Sequence, residues 1–343
     1  MFVIRSAQRQ DLESIYKLAQ KVFFINLPAN KAILKKKLNH SRKSFQQRLP
    51  NKNQGEFIFI LEDVKNKKIV GCCAIKAQHG SKENPDIYFQ IINTFKKSKS
   101  LKTTVNHQKL RLKFDTSGPS EIGSLVLTKK YRGHREKLGK FLSYSRFVYI
   151  SANRNLFRTK ILADLMPPLT KNGSSLIWEE LGQKFTKMSY KKADELSRIN
   201  KEFITSLFPT EDIYTCFLSK QAQNNIGVVG EKTIPARNML SKIGFKFSNR
   251  VDPFDGGAHY WAKINDISLV KNTKKISEIS KCKAPQKKSG ILLVLDNENK
   301  PFFFQVKAKK IKTNLFIQDN AVKKIESYLS INFCDLKTYF MPY

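Results

Sequence analysis

GPSEIGSLVLTKKYRGHREKLGKFLSYSRF, residues 118–147, decides the fold. Gly118 and Pro119 punctuate the start of an apolar run at 121–128, which predicts a strand. The turn 129–135 is basic and contains glycine. A helix follows at about 138–153, with Leu138, Phe141, Leu142, Ser145, Phe147 and Val148 along it. Strand, basic turn and helix in this order make an anion cradle. The first backbone N–H groups of a helix have no partner in the helix, and its dipole favours negative charge there. Arg132, His134, Arg135, Lys137 and Lys140 add point charges around that start. The alternative is a solvated loop before an ordinary helix.

Outward from this segment the chain alternates. Residues 2–5 (FVIR) predict a first strand. Asp11 stands where a helix N-cap belongs, followed by Leu12, Ile15, Tyr16, Ala19 and Val22 at helical spacing. A second helix is expected at 30–47. Residues 56–62 and 69–76 read as a hairpin about the turn 66–68, and 87–92 add a strand. The polar stretch 95–108 reads as a surface loop. Residues 160–166 (KILADLM) predict a buried strand closed by Pro167 and Pro168. Helices are expected at 175–182, 191–206, 217–225 and 234–243, a strand at 245–247 and a turn at Gly256 and Gly257. The segment 270–290, rich in Lys and Ser and containing Pro285, reads as a boundary. Strand-like runs at 291–296, 302–307, 314–317 and 336–341 surround a helix at 319–328. The predicted organisation is a large domain over 1–265, a linker over 266–290 and a small β-rich module over 291–343. The class is α/β (α+β), a mixed sheet flanked by helices.

Composition narrows the function. The 343 residues carry 63 Lys and Arg against 28 Asp and Glu, a net charge of +35. Such a balance suits an anionic partner: nucleic acid, acidic lipid or a phosphate-rich cofactor. Spread-out lysines on solvated surfaces explain it better than nucleic acid does. Without a basic tail or an RNA-binding aromatic signature, nucleic acid ranks last. No apolar run is long enough to span a bilayer, and no signal peptide is visible, so a cytoplasmic protein is expected. Cys72, Cys73, Cys216, Cys282 and Cys334 show no C-x-x-C spacing, which predicts reduced thiols and no metal. No glycine-rich dinucleotide or P-loop motif occurs.

The strand, basic turn and helix at 118–147 resemble motif A of the GNAT N-acyltransferase superfamily, and IPARNMLSKIGFKF at 234–247 resembles its late helix. Within that superfamily the chain most resembles arginine N-succinyltransferase. The landmarks are FVIR at 2–5, LPAN at 27–30, GEFIFILED at 55–63 and VGCCAI at 70–75. SGPSEIGSLVL at 117–127, LGKFLSYSRFVYI at 138–150, IPAR at 234–237 and FDGG at 254–257 follow in the same order. The resemblance implies a GNAT-like fold. It also implies transfer of succinyl from succinyl-CoA to the α-amine of L-arginine in arginine catabolism, without a metal. Assembly beyond a monomer, as a homo- or hetero-oligomer, would fit the family. Its succinyl-CoA contact falls on Leu125; Val126, Leu127, Arg132, Arg135, Gly139 and Lys140 complete the expected cofactor cradle.

The expected proton chemistry follows from the substrate. An α-ammonium with a pKa of about 8 must lose a proton before it attacks a thioester. Glu121, at the start of the strand, is the candidate base or ammonium anchor. The family's proton-donor histidine falls on Gly230, and its Asp-His-Thr-Gly stretch is here Asp115, Thr116, Ser117 and Gly118. Three explanations stand open. His259 could supply the proton, its alternative being a surface-turn residue. The thiolate could leave unaided. Or the chain could be an acyl-CoA-binding relative with an altered amine substrate or no catalysis. Asp115, Glu121, Asp212 and Asp255 are available to a guanidinium, and Arg237 to a carboxylate.

Overall fold

The computed structural model describes residues 1–343 except 22–26, 83, 198–199, 284–287, 332 and 334–335. Val22, Pro285 and Cys334 thus lie outside the described residues. The chain forms two compact units, Met1–Ala77 with Ile122–Thr159 and Lys263–Tyr343, and Gln78–Glu121 with Lys160–Ala262.

The first unit is built on antiparallel strands. In spatial order they are Lys274–Ile276, Lys337–Pro342, Ser289–Leu295, Pro301–Ile311, Phe2–Ser6, Glu56–Asp63 and Lys68–Lys76. Ile4 lies between Phe303 and Leu61 in register, so the first and last thirds of the sequence share one ladder. Helix Lys31–Phe45 starts on Asn30, whose side chain accepts the Ile33 N–H, satisfying one orphan donor. Its Leu34, Leu38 and Phe45 are buried, and Phe45 packs edge-on against Phe57 and Tyr149. Tyr149 comes from helix Leu138–Ala152, which the apolar spacing had predicted.

The second unit centres on a long hairpin, Asp86–Ser98 with Thr103–Asp115, paired from Asp86↔Asp115 to Ser98↔Thr103. Lys246–Val251 pairs with the inner part of the first arm and with Ala258–Lys263. Ser120 and Glu121 pair in parallel with Ile161 and Leu162. The core gathers Phe89, Trp178, Phe203, Phe208 and Phe254, with the tilted rings of Trp178 and Phe254 4.6 Å apart.

Several expectations change. The segment 95–108 is not a loop but most of the hairpin's outer half. Asp11 does not cap helix Leu12–Ala19 through its side chain; its carboxylate accepts the Gln8 N–H and pairs with Arg5 at 2.8 Å. The helix expected over 191–206 is two, Tyr190–Ser197 and Glu202–Leu207. The expected linker 266–290 contains helix Ser268–Asn272 and strands Lys274–Ile276 and Glu278–Cys282. Residues 291–343 are not a separate body: strand Pro301–Ile311 pairs with Phe2–Ser6 inside the first unit.

Candidate active site

Strand Ser120–Leu127 carries a left-handed residue at Ser124, whose φ is 51°. A non-glycine residue in that conformation costs energy. The Ser124 carbonyl accepts from the Cys72 thiol at 3.7 Å. Val126 is buried, whereas Leu125 and Leu127 are half-exposed. Thr128 N–H then donates to Val70 at 2.9 Å, and the chain leaves the sheet into the basic turn.

The turn is held from several sides. The Tyr131 hydroxyl donates to Asp63, Arg132 Nε donates to the Leu127 carbonyl at 3.1 Å, and His134 packs edge-on against Phe2. Lys137, at φ 49°, swings the chain into helix Leu138–Ala152, and no side chain caps that helix start. A Cβ on Gly139 would meet nothing closer than Leu127 Cδ2 at 3.8 Å, so there is room beside the first turn. Lys129, Lys130, Arg132, Arg135 and Lys137 are exposed around it. Lys140 lies over the rings of Tyr343 and Tyr144, at 4.4 and 5.2 Å. Open amides, a helix dipole and clustered cations suit a phosphorylated tail.

In the second unit, acids and histidines cluster where the sequence did not foretell. Glu121 is 3% exposed, and its Oε2 lies 3.1 Å from Nδ1 of His79. His79 Nε2 lies 3.6 Å from the buried Asp86. His259 is no surface-turn residue: it is 3% exposed in strand Ala258–Lys263, with Nε2 4.0 Å from Asp164. Asp164, Asp252 and His259 bring ligand atoms within 4.8 Å of one another, a spacing that a cation could share.

The FDGG turn assembles this cluster. Asp255 accepts the Gly257 N–H at 2.7 Å, and Asp252 N–H donates to the Gly257 carbonyl. A Cβ on Gly257 would lie 2.8 Å from an Asp255 oxygen and 3.2 Å from one of Asp164, so only glycine lets both carboxylates close in. Burial first, then Asp252, pushes the Asp255 carboxyl up to about 8. Burial and then the charges of Asp252, Asp255 and Glu121 raise Asp164, even though its side chain keeps a 39% exposed edge. Burial holds His259 below its usual range, opposed by Asp86 and Asp252.

Of the acids considered for a guanidinium, the structure brings Glu121 and Asp255 into this cluster. Asp212 is instead engaged by Arg111 at 2.6 Å and by Lys109. Asp115 holds the Ser117 N–H, and Arg237 leans on Asn238. His79, Asp86, Asp164 and Asp252 carried no motif. The histidine and acids converge only through the sheet, and FDGG was the one local signal near them.

A family model described as arginine N-succinyltransferase beta subunit matches residues 2–269. The curated arginine N-succinyltransferase of Photorhabdus laumondii is 34% identical over 301 residues, 87% of this chain and 86% of that protein. That of Escherichia coli O1:K1 is 35% identical over 277 residues, 80% of this chain and 79% of that one. The solved subunit AI of the arginine/ornithine succinyltransferase of Pseudomonas aeruginosa shares the fold. Its TM-score is 0.85 at 20% identity, with 100% of this chain and 98% of that chain covered. The fold is thus the mixed α/β one expected, a mixed sheet with helices. Among the described residues no helix is long and apolar enough to cross a membrane.

Proposed function

The chain belongs to the arginine N-succinyltransferase family, and from that premise we propose that it transfers succinyl from succinyl-CoA to the α-amine of L-arginine, in the cytoplasm, releasing coenzyme A. The observation that carries this reading is the uncapped start of helix Leu138–Ala152 with its exposed cations, behind a strand that carries a left-handed Ser124.

In this reading the CoA pyrophosphate meets the N–H groups at Leu138–Lys140, with Arg132 and Arg135 beside them. The pantetheine arm runs along Leu125–Leu127. A strand N–H at Leu125 or Val126 steadies the oxyanion formed on the thioester carbonyl. The guanidinium faces the acids Asp164, Asp252 and Asp255, whose mutual repulsion a cation relieves. Glu121 anchors the ammonium or helps to remove its proton, and His259, held neutral by burial, serves as a hydrogen-bond partner or proton carrier near the same acids.

Gly230 favours a second reading, an acyl-CoA-binding relative with a different amine or no turnover. Thiol release measured with a panel of acyl-CoAs and amines separates the two. Release that requires both succinyl-CoA and arginine supports the first. Tight succinyl-CoA binding without release for any amine supports the second.

A further inference from the structure

Strands Lys160–Leu165, Ala258–Lys263 and Lys246–Val251 lie side by side in the second unit. Asp164 and His259 stand on the first two, and Asp252 directly follows the third. Val251 pairs with Ala258, and the Asp252 N–H donates to the Gly257 carbonyl at 2.9 Å, so the backbone is fixed on both sides. Asp252 is oriented further by the Phe254 N–H, which it accepts at 2.6 Å. The ring of His259 has no such support. It is 3% exposed, yet among the described residues its nitrogens have no hydrogen-bond partner; only its main-chain carbonyl is engaged, by the Ser248 hydroxyl at 2.7 Å. A polar ring buried without a partner is costly. Nε2 faces Asp164 at 4.0 Å. That is too long for a hydrogen bond, but it is the span of two donors on either side of an ion with bonds of about 2.0–2.2 Å. Asp252 completes the group, all three donor atoms lying within 4.8 Å of one another. The charges of Asp252, Asp255 and Glu121 press on Asp164, opposed by Lys201. A bound cation relieves that repulsion.

We propose that Asp164, Asp252 and His259 form a binding site for a divalent transition-metal ion such as Zn²⁺. Two carboxylate oxygens and one imidazole nitrogen fill three positions, a donor set that suits zinc. Water takes the remainder through the exposed edge of Asp164, which is also the way in for the ion. A neutral imidazole carries one lone pair, and the metal selects the tautomer that offers it. The nitrogen donor favours Zn²⁺ over Mg²⁺, which prefers oxygen alone. No metal spacing announces the site in the sequence, because the sheet alone gathers its ligands. In the acyl-transfer reading the guanidinium faces the same acids, so ion and guanidinium exclude each other. Only that competition rests on the reading; the metal site does not.

The test titrates Zn²⁺, and separately Mg²⁺, into metal-free protein by calorimetry. A single Zn²⁺ per chain is the expected result, with no heat from Mg²⁺. Asp164→Ala and His259→Gln should each weaken Zn²⁺ by at least about 10-fold. The Asp164 variant, altered at an exposed edge, should keep the wild-type circular dichroism. Cys216→Ser, which removes an exposed thiol, should bind as wild type does. With Co²⁺ in place of Zn²⁺, NMR should show a paramagnetically shifted imidazole signal that His259→Gln lacks. Agmatine, which carries a guanidinium but no carboxylate to chelate the ion, should weaken Zn²⁺ binding. A wild-type protein that binds no Zn²⁺ overturns the proposal, and so does wild-type affinity in folded Asp164→Ala. Zn²⁺ affinity untouched by agmatine instead removes the guanidinium from these acids and leaves the metal site standing.

Discussion

A Cβ placed on Gly230 would lie 2.6 Å from the carbonyl oxygen of Pro167. The Gly230 N–H also donates to Met166 at 2.9 Å, so the two segments are tied backbone to backbone. The position where the family resemblance puts a proton-donating histidine has here no space for any side chain.

Gly230→His is therefore expected to destabilise the protein by about 1–3 kcal/mol, the usual cost of overpacking, without raising turnover. Chemical denaturation and thiol release measured on the same preparation check this. A gain in kcat at unchanged stability would contradict it.

Asp255 gives a pH dependence. Its carboxyl is raised from 3.8 to about 8, so the native state binds this proton more tightly than the unfolded chain does. Stability contributed here is full at acid pH and is lost as pH rises toward the native value. Asp255→Asn keeps an oxygen for the Gly257 N–H and removes the ionisation. Its stability relative to wild type should rise between about pH 5 and about pH 9. Urea unfolding at both values measures this, and an unchanged difference would refute it.

Arg132 and Arg135 test the cradle. Each is exposed, so each contact with phosphate is worth only about 0.2–1 kcal/mol. Alanine at either site should raise the KM for succinyl-CoA by about two- to fivefold with kcat little changed. The effect should shrink as salt screens it. Steady-state kinetics at two ionic strengths decide.

The thiols should separate by burial. Cys72 and Cys73 are 0% exposed, and desolvation raises both, Cys73 to about 12. Cys216 is exposed. Mass spectrometry after brief alkylation of the native protein should find label on Cys216 and none on Cys72 or Cys73.

How far the fold was legible depends on where its signals are local. Strand Ser120–Leu127 and helix Leu138–Ala152 declared themselves because each buries one apolar pattern against its own unit. Hairpin Asp86–Ser98 with Thr103–Asp115 hid because its outer half is exposed on both faces, with Phe95 70% and Val105 45% open to solvent. Lysines there carry no alternation; only Thr103, Thr104 and Val105 hinted at a strand. The C-terminal strands looked like a module because nothing in the sequence of Pro301–Ile311 names Phe2–Ser6 as its neighbour. The candidate site divides the same way. Glu121 was found because it opens the strand, and Asp255 because FDGG is a turn signal. His79, Asp86, Asp164 and Asp252 were not, since long-range pairing alone gathers them.

The most direct measurement is to incubate the protein with succinyl-CoA and ¹⁵N-labelled arginine and to identify the product by mass spectrometry and NMR. Arginine acylated on its α-nitrogen, formed together with an equal amount of free coenzyme A, is the predicted result. Coenzyme A release that does not depend on arginine, or no acylated arginine at any pH, would contradict the account.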